Sequence, residues 1–185
     1  MKGIKMTVKN NITLKIATKE DLPQFKKDLQ ASFSLAVIET FGSHFDEPIP
    51  SDQEREESFN ESGAVIYHIL SNGKKVGGAV VIIHEKTQHD ALSLFFITAD
   101  AHGKGIGTQA WKLIEEAYPQ TKVWETHTPY FEKRNIHFYV NKCGFHIVEY
   151  FNKSHKDPHF HDKDHSLGDE DFFRFEKHME YAQKS

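Results

Sequence analysis

The chain has 185 residues, with 23 Lys plus Arg against 27 Asp plus Glu for a formal charge of −4, and it contains no basic run of the kind that neutralises a phosphate backbone. No nucleic-acid partner is therefore expected. The hydrophobic fraction is 38%, but 15 Phe, 6 Tyr and 2 Trp supply large apolar surfaces, enough for one core, and no composition shift marks a linker within residues 1–185.

The single Cys143 cannot close an internal disulfide, and the opening MKGIKMTVKN lacks the apolar centre of a signal peptide. No apolar run approaches bilayer-spanning length and no fixed-period repeat occurs, so neither a membrane protein nor a solenoid is expected. The expectation is one cytoplasmic domain.

Residues 12–17 place Ile12, Leu14 and Ile16 on one face and end at Thr18, with Asp21 three residues on in a capping arrangement; this predicts a strand feeding a helix. Leu22, Phe25, Leu29 and Phe33 recur near helical spacing over about 19–35, with Pro23 in a first-turn position that tolerates it. Residues 36–50 lack a clear period. Ser51 with Glu54 marks a second cap before a short charged helix ending near Phe59.

Residues 65–70 and 75–84 are β-branched runs separated by a turn whose Asn72-Gly73 supplies the positive backbone angles of a tight hairpin. Residues 91–97 are nearly continuously apolar, which suits a central strand covered on both faces. After a glycine-rich turn, Ile106, Ala110, Trp111, Ile114 and Ala117 trace one stripe of a helix ending before Pro119. A strand at 123–126, a helix at 135–141 and strands at 145–151 and 171–175 complete the chain. A polar, histidine-rich excursion occupies 152–170. The order gives an α/β mixture with an antiparallel front half, matching neither a Rossmann nor a barrel pattern.

The turn is the most informative segment. A strand ending at Ile97 and a helix beginning near Gly105 leave the intervening amides without helical partners. Gly103, Gly105 and Gly107 let the backbone bend and a bulky anion approach, while the helix dipole adds partial positive charge. A pyrophosphate suits that place, and Thr108 can add a hydroxyl. The spacing fits neither a P-loop nor a dinucleotide-binding fingerprint.

HGKGIGTQAW after a hydrophobic strand resembles the acetyl-CoA signature of the GNAT superfamily, Arg/Gln-x-x-Gly-x-Gly/Ala, with His102 at the Arg/Gln position. NIHFYVNKCGFHIVEYF resembles the family's second motif, a Phe-Tyr helix ahead of a Gly-Phe that opens a strand. The resemblance implies a GNAT-like mixed sheet of about seven strands, splayed between the fourth and fifth and flanked by about four helices. It also implies a single acetyltransferase domain that uses acetyl-CoA as co-substrate and acts on a small-molecule amine or a peptide; a homodimer is compatible with it.

By the same resemblance Phe96, Ile97 and residues His102, Gly103, Lys104, Gly105, Ile106, Gly107 and Thr108 hold the cofactor, with Asn135 and Phe138 adjoining it. A backbone N–H near residues 95–98 would polarise the thioester oxygen. Tyr139 takes the general-acid position, protonating the departing thiolate. It precedes Gly144 by one residue more than the family spacing, and the extra residue is assigned to the turn. His102 in place of Arg or Gln weakens one side-chain contact or makes it pH-sensitive.

An amine acceptor with a pKa of about 10.4 is neutral only to roughly one part in a thousand at pH 7, so a base is needed. Glu125, with His127 on the same face of an extended chain, is the candidate. Two other classes are weighed. A non-catalytic acyl-CoA-binding regulator would keep the anion site without acid–base groups. A metal module would use His155, His159, His161 and His165, but Pro158 interrupts a helix there and no Cys partner occurs, so a polar loop and no metal are expected. Cys143 reads as a buried, inert thiol.

Overall fold

A computed structural model describes residues 11–42, 52–158 and 171–179. The elements in chain order are β1 (Ile12–Ile16), α1 (Leu22–Phe41), α2 (Asp52–Asn60), β2 (Ala64–Ser71), β3 (Lys74–Ile82), β4 (His89–Ile97), α3 (Ile106–Ala117), β5 (Val123–Pro129), α4 (Lys133–His137), β6 (His146–Phe151) and β7 (Phe172–His178). The strands form one seven-stranded sheet in the order β1-β2-β3-β4-β5-β7-β6. Every neighbouring pair is antiparallel except β4 and β5.

The β2–β3 hairpin turns at Asn72 and Gly73, with φ of 51° and 80°, as the Asn-Gly pair requires. On one face of the sheet Phe25 and Leu29 of α1 pack on Val80, Ile82 and Phe96. On the other, Trp111 and Ile114 of α3 meet Trp124, Tyr139, Phe145 and Phe175. The Trp111 and Trp124 rings cross edge to face at 5.2 Å.

The parallel seam is short. β4 and β5 pair only at His89↔Val123, Asp90↔Trp124 and Ala91↔Glu125, after which β4 runs on to Ile97 without β5 beside it. A bulge contributes to the divergence, because Val80 pairs with Leu94 and Val81 with Leu92, which leaves Ser93 as the extra residue of β4. The strands therefore part as a wedge that opens toward the glycine turn, as the family resemblance implies.

Several boundaries differ from the sequence reading for physical reasons. Residues 36–41 continue α1, with Val37 buried, and the helix stops at Gly42, where φ is 81°. The Ser51 cap and residues 43–50 lie outside the described residues. β5 and β7 are longer than expected because they pair along their whole length, from Val123↔His178 to Pro129↔Phe172. The extra residue assigned to the turn before Gly144 is instead taken up in the helix, where Phe138–Cys143 is wound as a π-helix and the Gly144 N–H donates to the Tyr139 carbonyl.

Candidate cofactor and acceptor site

The glycine turn has the backbone its composition predicts. Gly103 and Gly105 sit at φ of 74° and 69°, and Gly105 begins α3 from a left-handed conformation. The first bond into the helix is Gln109 N–H to Gly105 O at 3.2 Å, so the amides from 103 to 108 have no backbone acceptor among the described residues. A Cβ on Gly107 would approach the Phe138 ring to 3.2 Å, and without one that ring stacks on Phe95 at 5.4 Å.

These amides open onto a cavity of about 300 Å³. Of the residues expected to hold the cofactor, Phe96, Ile97, His102, Gly103, Gly105, Ile106, Gly107, Thr108, Asn135 and Phe138 line it; Lys104 does not, its ammonium donating to the Asp100 carbonyl at 2.7 Å. The Thr98 amide, one of those considered for the thioester oxygen, is already bound to Val76 O at 2.9 Å. The wall also carries groups the sequence reading passed over, among them Arg134, His137, Lys142 and Glu132. Three cationic or titratable nitrogen side chains beside a ring of unpaired amides fit a polyanionic nucleotide.

Glu132 is the exception in charge. It is the N-cap residue of α4, though its side chain makes no capping bond, and is only 6% exposed; burial holds its carboxyl above the ordinary value, opposed by Arg134 and reinforced by Glu39. No local pattern in the sequence singles it out.

Tyr139 lies in the core and does not line the cavity. Burial pushes its phenol well above the ordinary value, and the neighbouring Thr126 hydroxyl acts in the opposite direction. Thr126 in turn donates to the Leu92 carbonyl at 2.9 Å, at the closed end of the wedge. Tyr139 therefore sits beside that closed end, on the α3 face of the sheet.

Glu125, also outside the cavity lining, faces the opposite side. There the register sets Glu125 against Glu176 and His127 against Arg174, with Glu149 across from Arg174 on β6. The Arg174 guanidinium donates to Glu125 at 3.1 Å, Glu149 at 3.1 Å and Glu176 at 2.7 Å, and His89 Nε2 lies 3.2 Å from Glu125. The ligand atoms of His89, Glu125 and Glu176 lie within 4.8 Å of one another, but Arg174 already supplies the positive charge between the two carboxylates. Burial lowers the His127 pKa, against the pull of Glu125 and Asp157.

In the histidine-rich stretch, His155 bonds Glu149 at 2.9 Å and stacks on Phe151; His159, His161 and His165 lie outside the described residues. Cys143 is buried and its thiol is pushed up to about 12 by that burial, so it carries no nucleophilic thiolate near neutral pH. Among the described residues no helix is long and apolar enough to cross a membrane.

A wedge between a fourth and a fifth strand, headed by a ring of unpaired amides, is the architecture of an acyl-CoA-dependent acetyltransferase. Residues 24–145 match the Acetyltransferase (GNAT) family, and the chain belongs to that family, for which acetyl-CoA is the co-substrate. It is 56% identical over 181 residues to "Uncharacterized protein YrkN" of Bacillus subtilis strain 168, covering 94% of this chain and 98% of that one. Its fold is similar to a GNAT family acetyltransferase from Elizabethkingia anophelis with acetyl-CoA bound, at a TM-score of 0.65 and 18% identity over 92% of this chain and 100% of that one. It is likewise similar to a Bacillus subtilis acetyltransferase in complex with CoA, at a TM-score of 0.62 and 19% identity over 93% and 100% of the two chains.

Proposed function

We propose that the protein transfers the acetyl group of acetyl-CoA to a primary amine of a small molecule or peptide, by direct attack within a ternary complex. The observation that carries this reading is the position of two groups on either side of β5. Glu125 is the last residue of β5 paired to β4 and faces away from α3, beside Arg174 and His89, while Thr126, the next residue, faces Tyr139 on the α3 side. A thioester entering the wedge would lie between them.

In that arrangement the amides of the glycine turn bind the diphosphate, and the unpaired edge of β4 receives the pantetheine arm as an added strand would be received. The amine nitrogen attacks the thioester carbon while its proton passes to Glu125, directly or through water. The carbon–nitrogen bond forms, the carbon–sulfur bond breaks, and the Tyr139 phenol gives its proton to the departing sulfur and recovers one from solvent. That phenol is protonated at neutral pH, as an acid requires.

The test is calorimetry with acetyl-CoA followed by a thiol-release assay over small amines, polyamines, aminoglycosides and peptide N-termini, with product mass as the check. Micromolar binding and one acetyl gained per thiol released are expected. No cofactor uptake at millimolar concentration overturns the proposal, and binding without turnover on any amine replaces it with a non-catalytic acyl-CoA-binding protein.

A further inference from the structure

Building on the acetyl-CoA reading, we infer that Arg134 of α4 is the guanidinium that grips the phosphates of the cofactor, and that Glu39 of α1 holds its place until the cofactor arrives. The motif of the family puts Arg or Gln where this chain has His102, and the structure shows what His102 does instead. Its Nε2–H donates to the Ile97 carbonyl at 2.7 Å, and its Nδ1 accepts from Arg134 Nη1 at 3.0 Å. One nitrogen donating and the other accepting describes a neutral imidazole in a single tautomer, with both ring nitrogens occupied. Such a ring has neither charge nor a free donor for a phosphate. It orients a residue that has both.

Arg134 lines the same cavity as Gly103, Gly105 and Thr108. Nη1 is committed to His102 and Nη2 reaches Glu39 at 3.1 Å, and the remaining N–H groups of the planar fork stay available to an anion. The side chain is 49% exposed and that of Glu39 is 66% exposed. An ion pair this open to water contributes little, so a phosphate carrying more charge displaces Glu39 readily. Glu39 lies in the last turn of α1, which the family motif does not include. Cofactor loading thus frees the end of α1 from α4, and the charge lost at position 102 is recovered from a different element of the fold.

Calorimetry with CoA, dephospho-CoA and pantetheine on the full chain tests this. Arg134→Ala is expected to weaken CoA binding about tenfold to a hundredfold, as for loss of hydrogen bonds to a charged group, while leaving pantetheine binding unchanged. If the fork holds the diphosphate, dephospho-CoA loses as much as CoA; if it holds the ribose phosphate, only CoA loses. Arg134→Lys should restore part of the affinity, and Glu39→Gln should tighten CoA binding by up to about fivefold. Equal CoA affinity in wild type and Arg134→Ala, with both folded by circular dichroism, overturns this inference alone. An equal loss for pantetheine overturns it too. Failure of the wild type to bind CoA overturns it together with the transferase reading.

Discussion

The Thr126 hydroxyl donates to the Leu92 carbonyl across 2.9 Å, immediately beyond the last residues at which β4 and β5 pair. A side chain there takes over from the backbone ladder, closing the inner end of the wedge with a polar rung. The Tyr139 phenol adjoins this rung from the α3 side, buried at 5% exposure. Tyr139→Phe is therefore expected to lower kcat about a hundredfold or more, the range of a lost general acid. CoA affinity should not change, and stability should fall by no more than about 1 kcal/mol for one hydrogen bond. Steady-state kinetics with calorimetry separate these quantities, and a kcat within about threefold of wild type removes Tyr139 from the chemistry.

Glu132 gives a pH-dependent prediction. Burial, the largest influence on it, holds its carboxyl above the ordinary value of about 4.3. A carboxyl with a raised folded pKa favours folding while protonated; that contribution is complete below the unfolded pKa and is lost as pH rises through the folded one. At pH 7 the buried charge works against the fold. Glu132→Gln, neutral throughout, is expected to raise Tm at pH 7, with the gain shrinking as pH falls through the raised folded value and gone below about 4.3. A gain that does not vary across a pH series of thermal melts, or a loss at pH 7, refutes this account of the residue.

The packing of α1 on the sheet depends on the lack of a side chain at Gly78. A Cβ there would fall 2.3 Å from the Phe25 ring and 2.7 Å from Phe96, in a contact where those rings already meet edge to face at 5.4 Å. Gly78→Ala is expected to cost about 1–3 kcal/mol as an overpacked core site, read by urea denaturation. Because Phe96 also lines the cavity, CoA binding should weaken in the same variant. An unchanged denaturation midpoint would mean that α1 can shift freely, against this view of its packing.

What could be read in the sequence was what local physics writes there. Asn72-Gly73 announces a hairpin because only certain residues accept its angles, and the glycines at 103 and 105 announce a turn of left-handed backbone for the same reason. The α3 stripe follows from helical spacing, and Trp111, Ala110 and Ile114 are all buried as it requires. Arg134 could not be found this way, because it meets His102 across 32 residues and joins Glu39 across 95, through contacts that no spacing rule encodes. The Arg174 lattice likewise exists only because the β5–β7 and β7–β6 registers bring three carboxylates to one guanidinium. The π-turn before Gly144 was signalled by a one-residue surplus, but a surplus does not say whether a helix widens or a loop lengthens.

The three-residue seam between β4 and β5 joins two sub-sheets like the spine of a partly opened book. A small rotation about such a spine moves its far margin most and its fold least. Near the fold stand Thr126 and Tyr139, so an acid at Tyr139, as proposed, would hold its distance to the thioester as the spine flexes. At the margin lie the glycine turn and α4, where the proposed nucleotide site would fill and empty on every cycle. On the proposed mechanism such a spine would keep the reacting end steady while the doorway gives.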